Sequence, residues 1–184
     1  MQLDARPKPD GDPVGIRWSL EDLADVTAEE GDIERSLEIY EQALSFARQT
    51  GDLHAIGSIL QSKGALARGA GNVESARALI GEGLGIMHRI GCWHCCARYL
   101  GDLAFVMGAS GEPERAVRLL GAAEALRERT GIIIRPKALA VIEKALSDAR
   151  QSIGEAACAD ALNQGRALSL PAAIKQALAT GDPV

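Results

Sequence analysis

Apolar residues recur three to four positions apart along most of the chain, which is the spacing of an α-helix with one buried face. The first such stretch follows Asp12-Pro13, a pair typical of a helix start, and stops at Gly31, a residue typical of a helix end. A second stretch follows Asp32 and stops at Gly51. The pattern therefore predicts two helices joined by a glycine turn. The expected inward-facing residues are Ile16, Leu20, Leu23 and Val26 in the first helix and Ile33, Leu37, Tyr40, Leu44 and Ala47 in the second.

This helix pair is repeated at a constant interval. Segments of similar sequence begin at 31, 71 and 111, and each ends at a second glycine, at 51, 91 or 131, so the period is 40 residues. A fixed period of this size is typical of a solenoid, in which each unit buries its apolar face against its neighbours. When the three copies are aligned, each column of equivalent positions holds residues of similar size. The columns are Leu20/Leu60/Leu100, Ala24/Gly64/Ala104, Ser36/Ala76/Ala116, Tyr40/Ile80/Leu120 and Ala43/Gly83/Ala123.

The period ends after Gly131. The run 132–134 is apolar but too short to assign, and Pro136 prevents a helix from passing through it. Helices are predicted over 137–152, over 155–164 and from a cap at Ser169 to Ala179. Because a solenoid needs a different end to cover its core, we expect this segment to be a cap. The predicted organisation is a flexible lead (1–11), three repeats within 12–130 (12–50, 51–90 and 91–130) and a C-terminal helical cap (131–184).

The repeats resemble the tetratricopeptide repeat, although its usual length is about 34 residues. The middle copy departs from the pattern at Lys63, where leucine is expected. This resemblance implies an all-α, tetratricopeptide-like right-handed superhelix of antiparallel helix pairs, with longer turns between units. The matching positions are Leu20, Leu23, Ala24, Ser36, Tyr40 and Ala43 in the first copy and Leu100, Leu103, Ala104, Ala116, Leu120 and Ala123 in the third.

A narrower resemblance covers roughly residues 91–180. The run 115–127 (RAVRLLGAAEALR), the run 165–170 (GRALSL) and the pairs Ala173-Ile174 and Ala177-Leu178 resemble the C-terminal repeat region of large bacterial ATP-dependent regulators, LuxR-type and related. This resemblance implies a sensing or regulatory role in transcription or signalling. The chain has neither a phosphate-binding G-x-x-x-x-G-K-[ST] loop nor a basic helix-turn-helix, so ATPase and DNA-binding activities are not implied, and we expect no cofactor.

The amino-acid composition further narrows the possible fold and function of the chain. A chain of 184 residues with 47% hydrophobic but only 3% aromatic residues builds its core from small aliphatic side chains, which suits packed helices. A net charge of −5 argues against direct binding to nucleic acid. No apolar run approaches the roughly 20 residues that span a membrane. We therefore expect a cytoplasmic protein.

Four cysteines, at 92, 95, 96 and 158, raise a question of chemistry. Cys92 and Cys95 form a C-x-x-C motif that, with His94, offers thiolate and imidazole ligands to zinc or a redox-active pair. The alternative is that these cysteines are small buried apolar residues, since a zinc site usually takes a second ligand pair from elsewhere. Because no secreted-type disulfide framework is recognisable, reduced thiols are expected.

In tetratricopeptide arrays the first helix of each pair lines a concave groove, which would accept a partner helix or an extended peptide. The alternative is that these positions are ordinary solvated residues. The predicted function is a non-enzymatic protein-interaction scaffold; a small-ligand sensor using the groove and a metal or thiol redox sensor are the alternatives. The N-terminal helix, with no cap before it, would also pair with a second copy. The predicted groove residues are Trp18, Glu21, Asp22, Asp25, Ser58, Gln61, Ser62, Arg68, Arg98, Asp102 and Phe105.

Overall fold

The computed structural model describes residues 12–131, 133 and 136–179. All regular structure in these ranges is α-helical, which confirms the predicted all-α class. No helix among these residues has both the length and the apolar character needed to cross a membrane. The predicted flexible lead, residues 1–11, lies outside the described ranges. The helices are α1 (Pro13–Glu29), α2 (Ile33–Thr50), α3 (Leu53–Gly69), α4 (Val73–Arg89), α5 (Trp93–Ala109), α6 (Pro113–Thr130), α7 (Pro136–Ile153), α8 (Glu155–Arg166) and α9 (Leu170–Leu178).

The chain divides into two compact units, Met1–Ile59 and Leu60–Val184, and the border falls within α3. In unit 1, α1 packs along α2. Ala24 is completely buried where the two helices cross, and the Ser36 hydroxyl donates a hydrogen bond to the Ala24 carbonyl oxygen over 2.8 Å. A serine therefore fits this small-residue column because the neighbouring backbone satisfies its hydroxyl.

One prediction for α1 is wrong. Ile16, Leu23 and Val26 were expected to face inward, but their exposed fractions are 36%, 51% and 51%. The buried side chains of α1 are instead Arg17, Ala24 and Thr27. The reason is geometric, because α2 covers the face of α1 that carries Ala24. Ile16, Leu23 and Val26 lie on other faces of α1.

In unit 2, α5 is the central helix. It packs against α4, α6 and α9, and Tyr99, Leu100, Leu103 and Met107 are fully buried along it. The predicted core columns are confirmed here, because Ile80 and Leu120 are at most 3% exposed. A methyl group added at Gly64 would lie 2.5 Å from a side-chain carbon of Ile80, which explains glycine in the small-residue column.

The predicted turn glycines are confirmed as helix ends. Glycines 31, 51, 71, 91, 111 and 131, spaced 20 residues apart, all have a positive φ between 66° and 92°. This conformation strains a residue with a side chain, so each turn needs glycine. The turns also leave the first backbone N–H groups of the next helix to be capped; Asp32 and Asn72 accept one hydrogen bond each from the N–H three residues later.

The run of residues that carries the narrower resemblance forms a tight crossing of α6 and α8. Gly121 of α6 faces Leu162 and Arg166, and Gly165 of α8 faces the backbone of Arg118. A methyl group added at Gly165 would lie 2.7 Å from the Arg118 carbonyl carbon, closer than two non-bonded atoms approach. Glycine at both positions therefore allows the two backbones to touch.

Charged side chains tie the start of α6 to its neighbours. Glu112 pairs with Arg77 of α4 and with Arg115, and Arg115 also donates to the backbone oxygens of Gln176 and Ala179 over 3.0 and 2.7 Å. Partial burial acts to raise the pKa of Glu112, but the hydrogen bonds and charges of the two arginines outweigh it and lower that pKa. The network joins α4, α6 and the end of α9.

Candidate functional site

Helices α5, α6 and α7 of unit 2 enclose two adjoining cavities, which we call together the α5 groove. The smaller cavity has a volume of about 350 Å³ and the larger about 560 Å³. Phe105 and Val141 line both, so the two cavities adjoin at these two side chains. The α5 residues that line them extend from His94 to Ala109, a distance of about 22 Å at the ordinary helical rise.

Small residues create the space in the groove. On α5 the lining positions include Ala97, Gly101, Ala104 and Gly108, which follow one another at helical spacing. Such a stripe has no side chains long enough to reach α7, so a gap remains between the helices. The smaller cavity is also lined by Arg98, Asp102, Phe105, Arg127, Ala138, Val141 and Ile142, and the larger by Pro113, Ala116, Val117, Leu120, Lys144, Ala145, Asp148, Ala149 and Ser152.

Asp102 is the acidic group of the smaller cavity. Its carboxylate accepts a hydrogen bond from the Gln61 side-chain amide over 2.7 Å. Burial raises the pKa of Asp102, while this hydrogen bond and the nearby charges of Arg68 and Arg98 oppose the rise. Gln61 thus holds the carboxylate in place at the inner wall.

Two arginines lie over aromatic rings in this region. The Arg68 guanidinium is 5.4 Å from the centre of the Phe105 ring, and that of Arg98 is 5.4 Å from the centre of the Tyr99 ring. Both are cation–π contacts. Burial raises the pKa of Tyr99 to about 12, with Arg98 acting in the opposite direction, so the phenol stays protonated at neutral pH. The arginines are therefore held close to the groove in defined positions.

Arg127 of α6 provides a further positive charge. It lines the smaller cavity, and its Nε is buried with no hydrogen-bond partner among the described residues. Burial lowers the pKa of Arg127, against the charges of Glu124 and Glu128. The positive charge of Arg127 makes this end of the smaller cavity favourable for an anionic group.

Several predicted groove residues meet in unit 2. Arg98, Asp102 and Phe105 line the smaller cavity, Gln61 binds Asp102, and Arg68 contacts Phe105. Ser62 is also half-buried on α3, but it lines neither cavity.

The other predicted groove residues belong to unit 1. Trp18 is 54% exposed, with the Arg17 guanidinium 5.7 Å from its ring, and Asp22 is exposed. Glu21 is ion-paired with Arg17; its burial raises its pKa, against the effect of that arginine. Asp25 accepts a hydrogen bond from the Tyr40 hydroxyl. Ser58 is half-buried. Glu21 and Asp25 thus already make contacts within their own unit.

Sequence reasoning missed the α6 and α7 side of the groove. The segment 131–184 was assigned to a cap, and no groove residue was predicted on α7. The α7 positions that line the cavities are 138, 141, 142, 144, 145, 148, 149 and 152. Within this set, positions 138, 141, 145, 148 and 152 follow one another at spacings of three and four and form one helical stripe, which was a usable signal. Arg127 carried no signal in the sequence.

The prediction that all cysteines are reduced thiols is wrong for two of them. Cys92 and Cys95 are joined by a disulfide in the first turn of α5, whereas Cys96 and Cys158 are buried thiols. The physical reason is that residues three apart at a helix start lie close together; the Cα–Cα distance is 5.3 Å, within the usual disulfide range. In this state neither Cys92 nor Cys95 is a thiolate able to bind zinc with His94.

Comparison of the chain with models of known protein families, with curated proteins and with solved structures gave no match.

Proposed function

We propose that this chain is a non-enzymatic, tetratricopeptide-like interaction module that binds an acidic and apolar peptide segment of a protein partner in the α5 groove. In this proposal the helix pairs stack as a right-handed superhelix, as the constant 40-residue period favours. The single observation that carries the peptide assignment is that the two cavities lie end to end along α5 and share Phe105 and Val141 in their walls. A groove about 22 Å long matches a helix of about four turns.

Charge supports an acidic segment. Arg98 and Arg127 line the smaller cavity and Arg68 lies over Phe105, while Asp102 is engaged by Gln61. At the other cavity, Lys144 pairs with Asp148 over 2.8 Å and contributes little net charge. A bound segment would therefore place its carboxylates at the arginine end and its apolar side chains along the small residues of α5.

The regulatory context rests on the resemblance of residues 115–127 and 165–170 to the repeat regions of bacterial regulators. Within such a regulator, a peptide groove would sense the presence of a partner protein. This role requires no catalytic group in the groove.

A display library of 15-residue peptides tests the peptide assignment. Enriched peptides should carry apolar residues three and four apart with Asp or Glu at one end, and Phe105→Ala should weaken their binding at least tenfold. Phe46→Ala is the matched control, because Phe46 is a half-buried phenylalanine of α2 that does not line the groove. Equal loss with both variants, or enriched peptides that are basic, would contradict the proposal.

A second candidate is a sensor of a small anionic ligand with an apolar body. Its support is the smaller cavity, whose volume of about 350 Å³ is within the usual range for small-molecule sites and whose wall carries the basic side chains of Arg98 and Arg127. Two substitutions separate the candidates: Ala145→Trp fills only the larger cavity and should block a peptide alone, whereas Ala138→Trp fills only the smaller cavity and should block both. Thermal shift with a panel of aryl and acyl carboxylates reports the small ligand.

A further inference from the structure

Cys92 occupies the turn position before α5. At three earlier turns the equivalent position holds a residue whose side-chain oxygen caps the start of the next helix. Asp32, Asp52 and Asn72 stand 60, 40 and 20 residues earlier, and each accepts a hydrogen bond from the N–H three residues on, at 3.0–3.1 Å. The backbone of Cys92 has the same shape: its φ and ψ are −81° and 73°, against −85° and 74° at Asp32 and −84° and 78° at Asn72. This position is therefore shaped for a hydrogen-bond acceptor.

In the disulfide state, this capping role is not filled at α5, because the Cys92 side chain makes no capping hydrogen bond. Reduction would place a Cys92 sulfur where Asp32 has its carboxylate. The positive end of the helix dipole favours a thiolate over a thiol there. Both oxidation states thus have a stabilising feature at the same turn, a covalent bond in one and a helix cap in the other.

The two sulfurs differ in access. Cys95 is only 6% exposed, whereas Cys92 is half-buried and its neighbour Trp93 is 47% exposed. An incoming thiolate therefore reaches Cys92. The His94 ring nitrogens lie 3.8 and 3.5 Å from the Cys92 sulfur, so the imidazole N–H is placed to donate a hydrogen bond to a Cys92 thiolate as it leaves.

The remaining two cysteines are not part of this site. Cys96 is completely buried, and burial raises its pKa to about 11, so it remains a thiol at neutral pH. Cys158 is 2% exposed on α8. Both serve as internal references for reactivity.

We propose that Cys92 and Cys95 form a reversible thiol–disulfide exchange site whose substrates are dithiols. A thiolate of the dithiol attacks the Cys92 sulfur, forming a mixed disulfide; the Cys92–Cys95 bond breaks, and Cys95 leaves with the electron pair and takes a proton. The second thiolate of the dithiol then attacks the dithiol sulfur that is bonded to Cys92. This step closes a disulfide within the dithiol and releases the Cys92 thiolate. Two electrons pass from the dithiol, which becomes a cyclic disulfide, to the protein. This proposal does not depend on the α5 groove.

Dithiothreitol is the probe for the test. The full chain is equilibrated with reduced and oxidised dithiothreitol in varied ratio, quenched and labelled with N-ethylmaleimide, and its cysteines are quantified by peptide mass spectrometry. Cys92 and Cys95 should convert together with unchanged circular dichroism, and Cys96 and Cys158 should stay unlabelled. In the reduced chain, Cys92 should label at least tenfold faster than Cys95.

Variants test the assigned roles. Cys95→Ser should form a mixed disulfide with oxidised glutathione at Cys92, Cys92→Ser should not, and Cys158→Ser should exchange like the unaltered chain. The proposal is overturned if the pair is reduced only in denaturant, if it remains dithiol in oxidised dithiothreitol, or if stoichiometric zinc holds both sulfurs. Should a variant fail to fold, the labelling ratio of Cys92 to Cys95 in the unaltered chain decides alone, and a ratio near one overturns the proposal.

Discussion

Replacing Gly165 by alanine should force α8 away from α6. The added methyl carbon would lie 2.7 Å from the Arg118 carbonyl carbon and 3.0 Å from its Cα. These are backbone atoms of a packed helix, so no side-chain rotation relieves the clash. On the facing helix, a methyl group at Gly121 would come within 3.1 Å of the Arg166 backbone nitrogen. Neither helix therefore has room for a side chain at this crossing.

Two opposing terms set the magnitude. Alanine favours a helix over glycine by about 1 kcal/mol. Overpacking a tight contact costs about 1–3 kcal/mol, and an obstacle made of backbone belongs at the upper end. The net loss in free energy of unfolding should therefore be about 2 kcal/mol, equivalent to a fall in Tm of about 8 °C for a unit of this size.

Urea denaturation followed by circular dichroism measures the loss. Gly85→Ala is the matched control, because the same methyl group in the middle of α4 meets nothing within 4 Å. That variant should be unchanged or up to about 1 kcal/mol more stable. A Gly165→Ala variant as stable as the unaltered chain, or an equal loss of stability in both variants, would contradict the predicted clash between α8 and α6.

Three further predictions concern charge and local stability. Asp102→Asn keeps an acceptor for Gln61 and removes a charge whose pKa burial raises, so it should be more stable than the unaltered chain at pH 7, with the gain vanishing below pH 3.8 in pH-dependent urea titrations. Glu112→Gln should change the stability at pH 7 in the opposite direction. The pKa of Glu112 is lowered because its two arginines outweigh partial burial, so the variant should be less stable at pH 7, and the deficit should shrink as pH falls below 4.5. Amide hydrogen exchange should be faster in 73–89, which contains three helical glycines, than in 113–129; equal protection would contradict this.

The sequence was a good guide wherever a local rule sets the structure. Helix spacing, capping residues and the positive φ of glycine act within a few residues, so the turns at Gly31 and Gly111 and the start of α7 at Pro136 were predictable. The repeat positions that hold residues of similar size were predictable for a related reason. A contact that recurs in each repeat needs side chains of similar volume, as at the buried positions Ile80 and Leu120.

The candidate site was only partly predictable. Arg98, Asp102 and Phe105 were assigned to a groove from their repeat columns, and all three line a cavity. Arg127 and Val141 were missed because they belong to helices that depart from the repeat or face the cavity from its other wall. The period carries no information about such positions.

The amino-acid sequence by itself determined that this chain is a series of helices with glycine turns, since backbone preference and apolar spacing are local properties. Only the tertiary structure decided which helices touch. It placed Gly165 against the Arg118 backbone and left a gap along α5 that ends at Arg127. These features depend on distances between atoms of different turns and helices, and spacing along a chain does not encode them.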